Sequence, residues 1–273
     1  MRPIIALLKR NLLKLLRNRM RLFMNLFISG IFLFIFSFIM KSTGIAMENP
    51  MNYLIAGIII MTVFQSAMNN SMNILDDITS GFMKEILVAP ISRWQIAIGH
   101  VLSATVVAVI QGLIIVFIGV FIGLEIGFLS TLGMIVVMIL VGLTFSSMGL
   151  FLATITKEST NFQMLVSIVS FPLTFLSGAY IPTIALPKIL LPIVYLNPLT
   201  YATSMFRYVT LKMDGMSEEQ LVNLGVSFRI HNFVISPWLS AVFIMVICVV
   251  FFYLCVNRFS KADFSNVKTF KHK

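Results

Sequence analysis

The residues able to do chemistry are few, and where they cluster they carry no charge. Gln65, Ser66, Asn69, Asn70, Ser71 and Asn73 crowd the end of one apolar run. Amides and hydroxyls at that density suit a polar stripe that admits a neutral solute. They equally suit hydrogen bonds between helices, worth roughly 0.6 to 2 kcal/mol per contact in a membrane. His100 is the one titratable candidate inside an apolar run, near its start, and there a packing role outweighs a proton switch. No cluster of His, Asp or Glu lies within the runs, so neither a proton relay nor a metal site is expected. The sequence holds no G-x-x-x-x-G-K-[ST] loop, no nucleophile elbow and no H-E-x-x-H. By itself the chain is therefore not expected to be an enzyme, and no cofactor is expected on it. Cys248 and Cys255 lie seven apart in one run and share a helix face, which points to packing rather than a disulfide or metal.

The elements that must position these groups are membrane helices. The 273 residues are 59% hydrophobic and 11% charged, with mean hydropathy +0.99; soluble domains carry about 25% charged residues. The net charge of +10 would suggest nucleic acid in a soluble protein, but here the basic residues sit at the ends of apolar runs, and no nucleic-acid partner is expected. Six runs approach the ~20 residues that cross a bilayer: Leu22 to Met40, Met51 to Met68, Gln95 to Gly123, Phe128 to Ile155, Phe162 to Ile181, and Pro237 to Val256. The expected fold is an all-α integral membrane protein with six transmembrane helices over 22–256. With both termini inside, fifteen of the twenty Lys and Arg residues fall on the inner side. That asymmetry places both termini in the cytoplasm.

Ahead of the first run, Ile4, Ile5, Leu8, Leu12, Leu15 and Leu16 share one face of a helix, with Arg10, Lys14, Arg17 and Arg21 opposite. Residues 1–21 are thus expected to form an amphipathic helix along the inner membrane surface, and no cleaved signal peptide is expected. Residues from about 74 to 90 should form a short helix ended by Pro90. Ser92-Arg93-Trp94-Gln95 then reads as a capping box for the third span. Ser236-Pro237-Trp238 supplies an N-cap, a first-turn proline and an aromatic anchor for the sixth. The outer segment 182–236 begins with an apolar stretch too short to span, which fits a re-entrant hairpin, and 257–273 is a basic cytoplasmic tail.

Two stretches carry a more specific pattern. One is Gly81-Phe82-Met83-Lys84-Glu85-Ile86-Leu87-Val88-Ala89-Pro90-Ile91-Ser92-Arg93-Trp94, leading to Gly99-His100. The other runs from Phe171-Pro172 through Ser177-Gly178-Ala179-Tyr180-Ile181-Pro182 and closes with Asn197-Pro198-Leu199-Thr200-Tyr201, followed by Arg207. Together they resemble the membrane subunit of ABC-2 type exporters, a family with drug-efflux and polysaccharide-export members. The resemblance covers essentially the whole chain in span count and motif order. It departs at Thr79 to Lys84, where the family often has a basic-acidic pair and Gly-Thr.

The resemblance implies a permease that dimerises, with itself or a related permease, and binds two copies of a cytoplasmic ABC ATPase, which would hold the ATP and Mg. It implies ATPase coupling through Glu85, Pro90, Ser92 and Arg93. It also implies an outer re-entrant gate from Pro172, Ser177, Gly178, Pro182, Asn197, Pro198, Tyr201 and Arg207. Gln65, Asn69, Asn70 and Asn73 are the candidate substrate path. A path without fixed charge suits outward movement of a hydrophobic or amphipathic drug, peptide or lipid-like compound. The alternatives are export of a polysaccharide or lipid-linked glycan and, in another class, a membrane assembly or anchor protein that transports nothing.

Overall fold

A computed structural model describes residues 2–17, 19–42, 50–88, 91–156, 158–183, 186–230 and 233–261. The first half builds α1 (Arg2–Arg17), α2 (Arg19–Ser42), α3 (Pro50–Asn70), α4 (Asn73–Thr79), α5 (Phe82–Val88), α6 (Arg93–Ile122) and α7 (Phe128–Thr156). After these come α8 (Ser159–Phe175), a 3-10 turn at Lys188–Leu190, α9 (Leu191–Leu196), α10 (Pro198–Thr210) and α11 (Glu218–Asn223). Two strands, β1 (Phe228–Ile230) and β2 (Phe233–Ile235), pair antiparallel with Phe228 opposite Ile235, and α12 (Pro237–Lys261) closes the order. The small ribbon corrects the all-α expectation, its two short strands being rich in the β-branched and aromatic residues Phe228, Ile230, Phe233, Val234 and Ile235.

Among the described residues four helical stretches are long and apolar enough to cross a membrane: Pro50–Thr79, which takes in α3 and α4, Arg93–Ile122, Phe128–Thr156 and Pro237–Phe259. The pair Lys188–Leu196 and Pro198–Thr210, bent by 86°, passes the same test together, as a broken span or a re-entrant loop. The run from Leu22 to Met40 lies within α2, with a short apolar stretch at Phe27–Phe38. The run from Phe162 to Ile181 is helical only to Phe175. Pro172 removes a backbone donor near its end, and Gly178 turns the chain with a φ of 79°.

The hub of the packing is α3. From Tyr53 to Phe64 its residues are nearly all apolar and buried, with no preferred face, and 83% of its membrane-length window is buried against 17% for α12. Neighbours α2, α6, α7 and α10 surround it. Against α7, the rings of Phe64 and Phe145 meet edge to face at 4.6 Å, and both are fully buried. One turn away Ser71 donates to the Ser146 carbonyl at 3.0 Å.

Expected capping chemistry is present at the start of α6, where the Ser92 amide donates to Gln95 Oε1 at 3.2 Å. At α12, the Leu239 amide donates to Ser236 Oγ at 3.4 Å. The single helix expected over about 74–90 is instead two, α4 and α5, split at Gly81 with a φ of 81°. A left-handed residue cannot continue a helix, and glycine adopts it without steric cost. Pro90 lies outside the described residues.

Replacing Phe64 with alanine should lower stability by about 2 kcal/mol, below the usual 3–5 kcal/mol for such a change. In a bilayer the cavity term persists while the transfer term is small. Thermal unfolding of the detergent-solubilised protein should show a lower midpoint than wild type.

Candidate functional site

A half-open cavity of about 310 Å³ lies between α2, α3 and α8. Its α3 wall presents Met61, Thr62, Gln65, Ser66 and Asn69. Helix α2 adds Ile28, Ser29 and Phe32, and α8 adds Ser167, Ser170, Phe171, Thr174 and Phe175, with Tyr180 beyond. Amides and hydroxyls thus alternate with aromatic rings, and no lining residue is charged. Ser29 and Thr62 share a hydrogen bond at 2.9 Å across the α2–α3 wall. Tyr180 caps the aromatic side, stacked on Phe32 at 4.9 Å and Phe36 at 4.7 Å.

Of the four residues expected along a substrate path, Gln65 and Asn69 line this cavity. Asn70 does not; its amide donates to the Ser66 carbonyl at 2.8 Å within α3. Asn73 is buried at the start of α4, away from the lining. The polar stripe thus divides by helix face, with Gln65 and Asn69 on the cavity and Asn70 bonded within α3.

The residues expected at the gate gather around the end of α8. A helix that stops leaves carbonyls without intrahelical donors, and α10 supplies them. Asn197, the N-cap of α10, accepts the Leu199 amide at 2.9 Å and donates to the Leu173 carbonyl at 2.8 Å. Thr200 donates to the Leu176 carbonyl at 3.3 Å. Arg207 donates to Gly178 and Ala179 through Nη1 and Nη2 at 2.8 and 2.7 Å, and to the Tyr53 carbonyl at 3.3 Å. Its guanidinium is 1% exposed and lies 3.5 Å from the centre of the Tyr53 ring. Among the described residues no carboxylate pairs with it. Three carbonyl dipoles and a π face replace the water it has lost.

Ser177 turns its hydroxyl back on the Thr174 carbonyl at 2.7 Å and accepts the Ala179 amide at 3.1 Å. Pro182 is buried near this turn, and Pro198 opens α10 at its first position. Tyr201 donates to the Tyr195 carbonyl at 2.6 Å and packs on Phe243 at 4.3 Å. Pro172 is the exception, since its ring is exposed on α8. Arg207 thus holds the two carbonyls that precede Tyr180, a residue of the cavity lining.

Two participants escaped the sequence reading. A Cβ at Gly57 would stand 2.1 Å from the Ala179 oxygen, so only glycine lets the turn reach α3. Tyr53 gives Arg207 both a carbonyl and a ring. A small residue and an aromatic one turn apart in an apolar run are common, and only the fold sets them opposite Arg207.

At the other end, Glu85 is exposed on α5, and Ser92 and Arg93 are exposed where α6 begins. These three stand near one another along the chain.

The chain matches the ABC-2 type transporter family over residues 2–211, and it belongs to that family. It is 31% identical over 177 residues to the putative transport permease ycf38 of Porphyra purpurea, covering 63% of this chain and 60% of that one. The ycf38 permease of Cyanophora paradoxa is 27% identical over 180 residues, covering 65% and 62%. The probable multidrug ABC transporter permease YbhR of Escherichia coli K12 is 27% identical over 143 residues, covering 52% of this chain and 39% of that relative. The match therefore spans about three fifths of the ycf38 relatives and less of YbhR.

Arg207→Leu strands the carbonyls of Gly178 and Ala179 in a buried site. It should cost about 2 to 4 kcal/mol, at roughly 1–3 kcal/mol for each deserted group. Arg207→Lys should recover less than half, since an ammonium cannot hold two adjacent carbonyls and stack on Tyr53 at once. Thermal unfolding of both variants in detergent measures the difference.

Proposed function

We propose that this chain is the permease subunit of an ATP-driven exporter that moves a hydrophobic or amphipathic compound outward. The energy comes from a separate cytoplasmic ABC ATPase, which binds the ATP and Mg. The chain spans a cytoplasmic-type cell membrane several times with both termini inside, and α1 lies along the inner surface. The observation that carries this reading is the uncharged cavity between α2, α3 and α8. Its hydroxyls and amides satisfy the polar end of an amphipath and its rings accept the apolar body. The multidrug name of one relative agrees with such a cargo.

A second copy, or a related permease, completes the unit. Gln65 of the otherwise largely buried α3, and Gln163 and Ser167 of α8, are exposed, and polar groups facing hydrocarbon are costly. A facing subunit removes that cost and closes the open side of the cavity. Segment 82–93, with Glu85, Ser92 and Arg93 exposed and Pro90 between them in sequence, is the coupling surface for the ATPase.

Co-expression with the candidate ATPase and purification of the complex tests this. The ATPase should co-purify, an amphipathic dye such as rhodamine 6G should stimulate hydrolysis more than a soluble oligosaccharide, and Ser66→Leu should abolish that stimulation. Glu85→Ala should reduce ATP turnover about fivefold, the equivalent of roughly 1 kcal/mol from one lost rim contact. Stimulation by the oligosaccharide instead would favour glycan export. A wild-type chain that captures no ATPase would leave a membrane assembly or anchor role.

A further inference from the structure

Helix α1 does more than flank the first apolar run. Its Leu7 is buried beside Gly99 of α6, where a Cβ on the glycine would meet Leu7 at 2.8 Å. One turn on, Asn11 donates to Ser103 Oγ at 2.9 Å. On the adjoining face Arg10 donates through Nη2 to Asp77 of α4, and its guanidinium lies 4.5 Å from the ring centre of Phe82, the first residue of α5. Lys14 approaches the other oxygen of Asp77 at 3.5 Å. Nε2 of His100 in α6 stands 3.6 Å from Asp77 and has no hydrogen-bond partner among the described residues.

Asp77 is only 3% exposed. A carboxylate so withdrawn from water is tolerated when cations and donors surround it. Between its helix and α5 lies Gly81, left-handed and with open space where a side chain would stand. That joint is a hinge by construction, and Arg10 reaches across it, grasping Asp77 on one side and Phe82 on the other.

We propose that Arg10 and Asp77 are positioning residues that brace the Gly81 hinge and bind α1, α4 and α5 into one body. A push on α5 then swings α1 and, through Leu7 and Asn11, the start of α6, instead of folding the hinge. The brace itself stands on the geometry. Its use in transmitting ATPase motion rests on the coupling reading of 82–93 proposed above.

Hydrogen exchange on the full-length permease in lipid nanodiscs tests the brace. Asp77→Asn should speed exchange in peptides 4–17 and 82–88 together, by about tenfold or more, as expected when a buried pair loses one charge. Peptides from the middle of α6 and α7 should keep wild-type rates. Lys14→Gln, which removes the 3.5 Å contact with Asp77 and the 3.9 Å contact with Asp76, should do less. The reversed pair, Arg10→Asp with Asp77→Arg, should restore most of the protection. Wild-type exchange in Asp77→Asn, or changes in one of the two segments without the other, would overturn the brace.

With the ATPase bound, ATP and vanadate should alter exchange in both segments of wild type. In Asp77→Asn the change should stay within 82–88, although the ATPase still binds. A response in 4–17 that survives the substitution would overturn the transmission role. If wild type binds no ATPase, the coupling reading fails, and the brace stands or falls on the exchange measured in the permease alone.

Discussion

A helix that ends within a bundle of membrane helices leaves carbonyls that must find donors where water is scarce. The region around the end of α8 is arranged to meet that requirement. Donors from α10 meet the carbonyls of Leu173, Leu176, Gly178 and Ala179 in turn. Meeting them fixes α10 beside α8 and α3, demands glycine at position 57, and sets Tyr180 against α2. Tyr180, which lines the cavity, is thus set by this hydrogen-bond pattern as well as by its stacking on Phe32 and Phe36.

Arg207, buried, and Arg10, partly buried, illustrate two ways of holding a guanidinium. Arg207 has carbonyl dipoles and an aromatic face but no carboxylate, an arrangement directional enough to define a turn. Arg10 has a carboxylate and an aromatic ring on different helices, an arrangement that joins separate elements. Both use the planar guanidinium to make several contacts at once, which lysine's compact ammonium does not reproduce. One acts at each end of the region built around α3.

Much of the architecture was legible in the sequence because it depends on local signals. Apolar length marked α3, α6, α7 and α12 to within a few residues, and Ser92 with Gln95 marked the start of α6. Pro172, Ser177, Gly178, Asn197 and Arg207 were singled out together as gate residues, and all except the exposed Pro172 do meet around one turn. What local signals could not give was pairing across the chain. Asp77 sits 67 residues from Arg10, and nothing near either names the other. The break at Gly81 was hidden because Pro90 offered a plainer helix stop, and Gly57 looked like any small residue in a span.

The burial of α3 has a consequence for biogenesis. The window through this helix is the least hydrophobic of the four membrane-length ones, with hydropathy 1.5 against 2.8, 2.4 and 2.9 for those of α6, α7 and α12. Yet it is made before all three. A nascent segment leaves the translocon for lipid according to its own apolarity, so the hub of the finished protein is the span least able to partition alone. Its neighbours α6 and α7 emerge later and are the better membrane anchors. Chain order and insertion strength therefore run in opposite directions, and α3 gains its settled place only when those later helices arrive to enclose it.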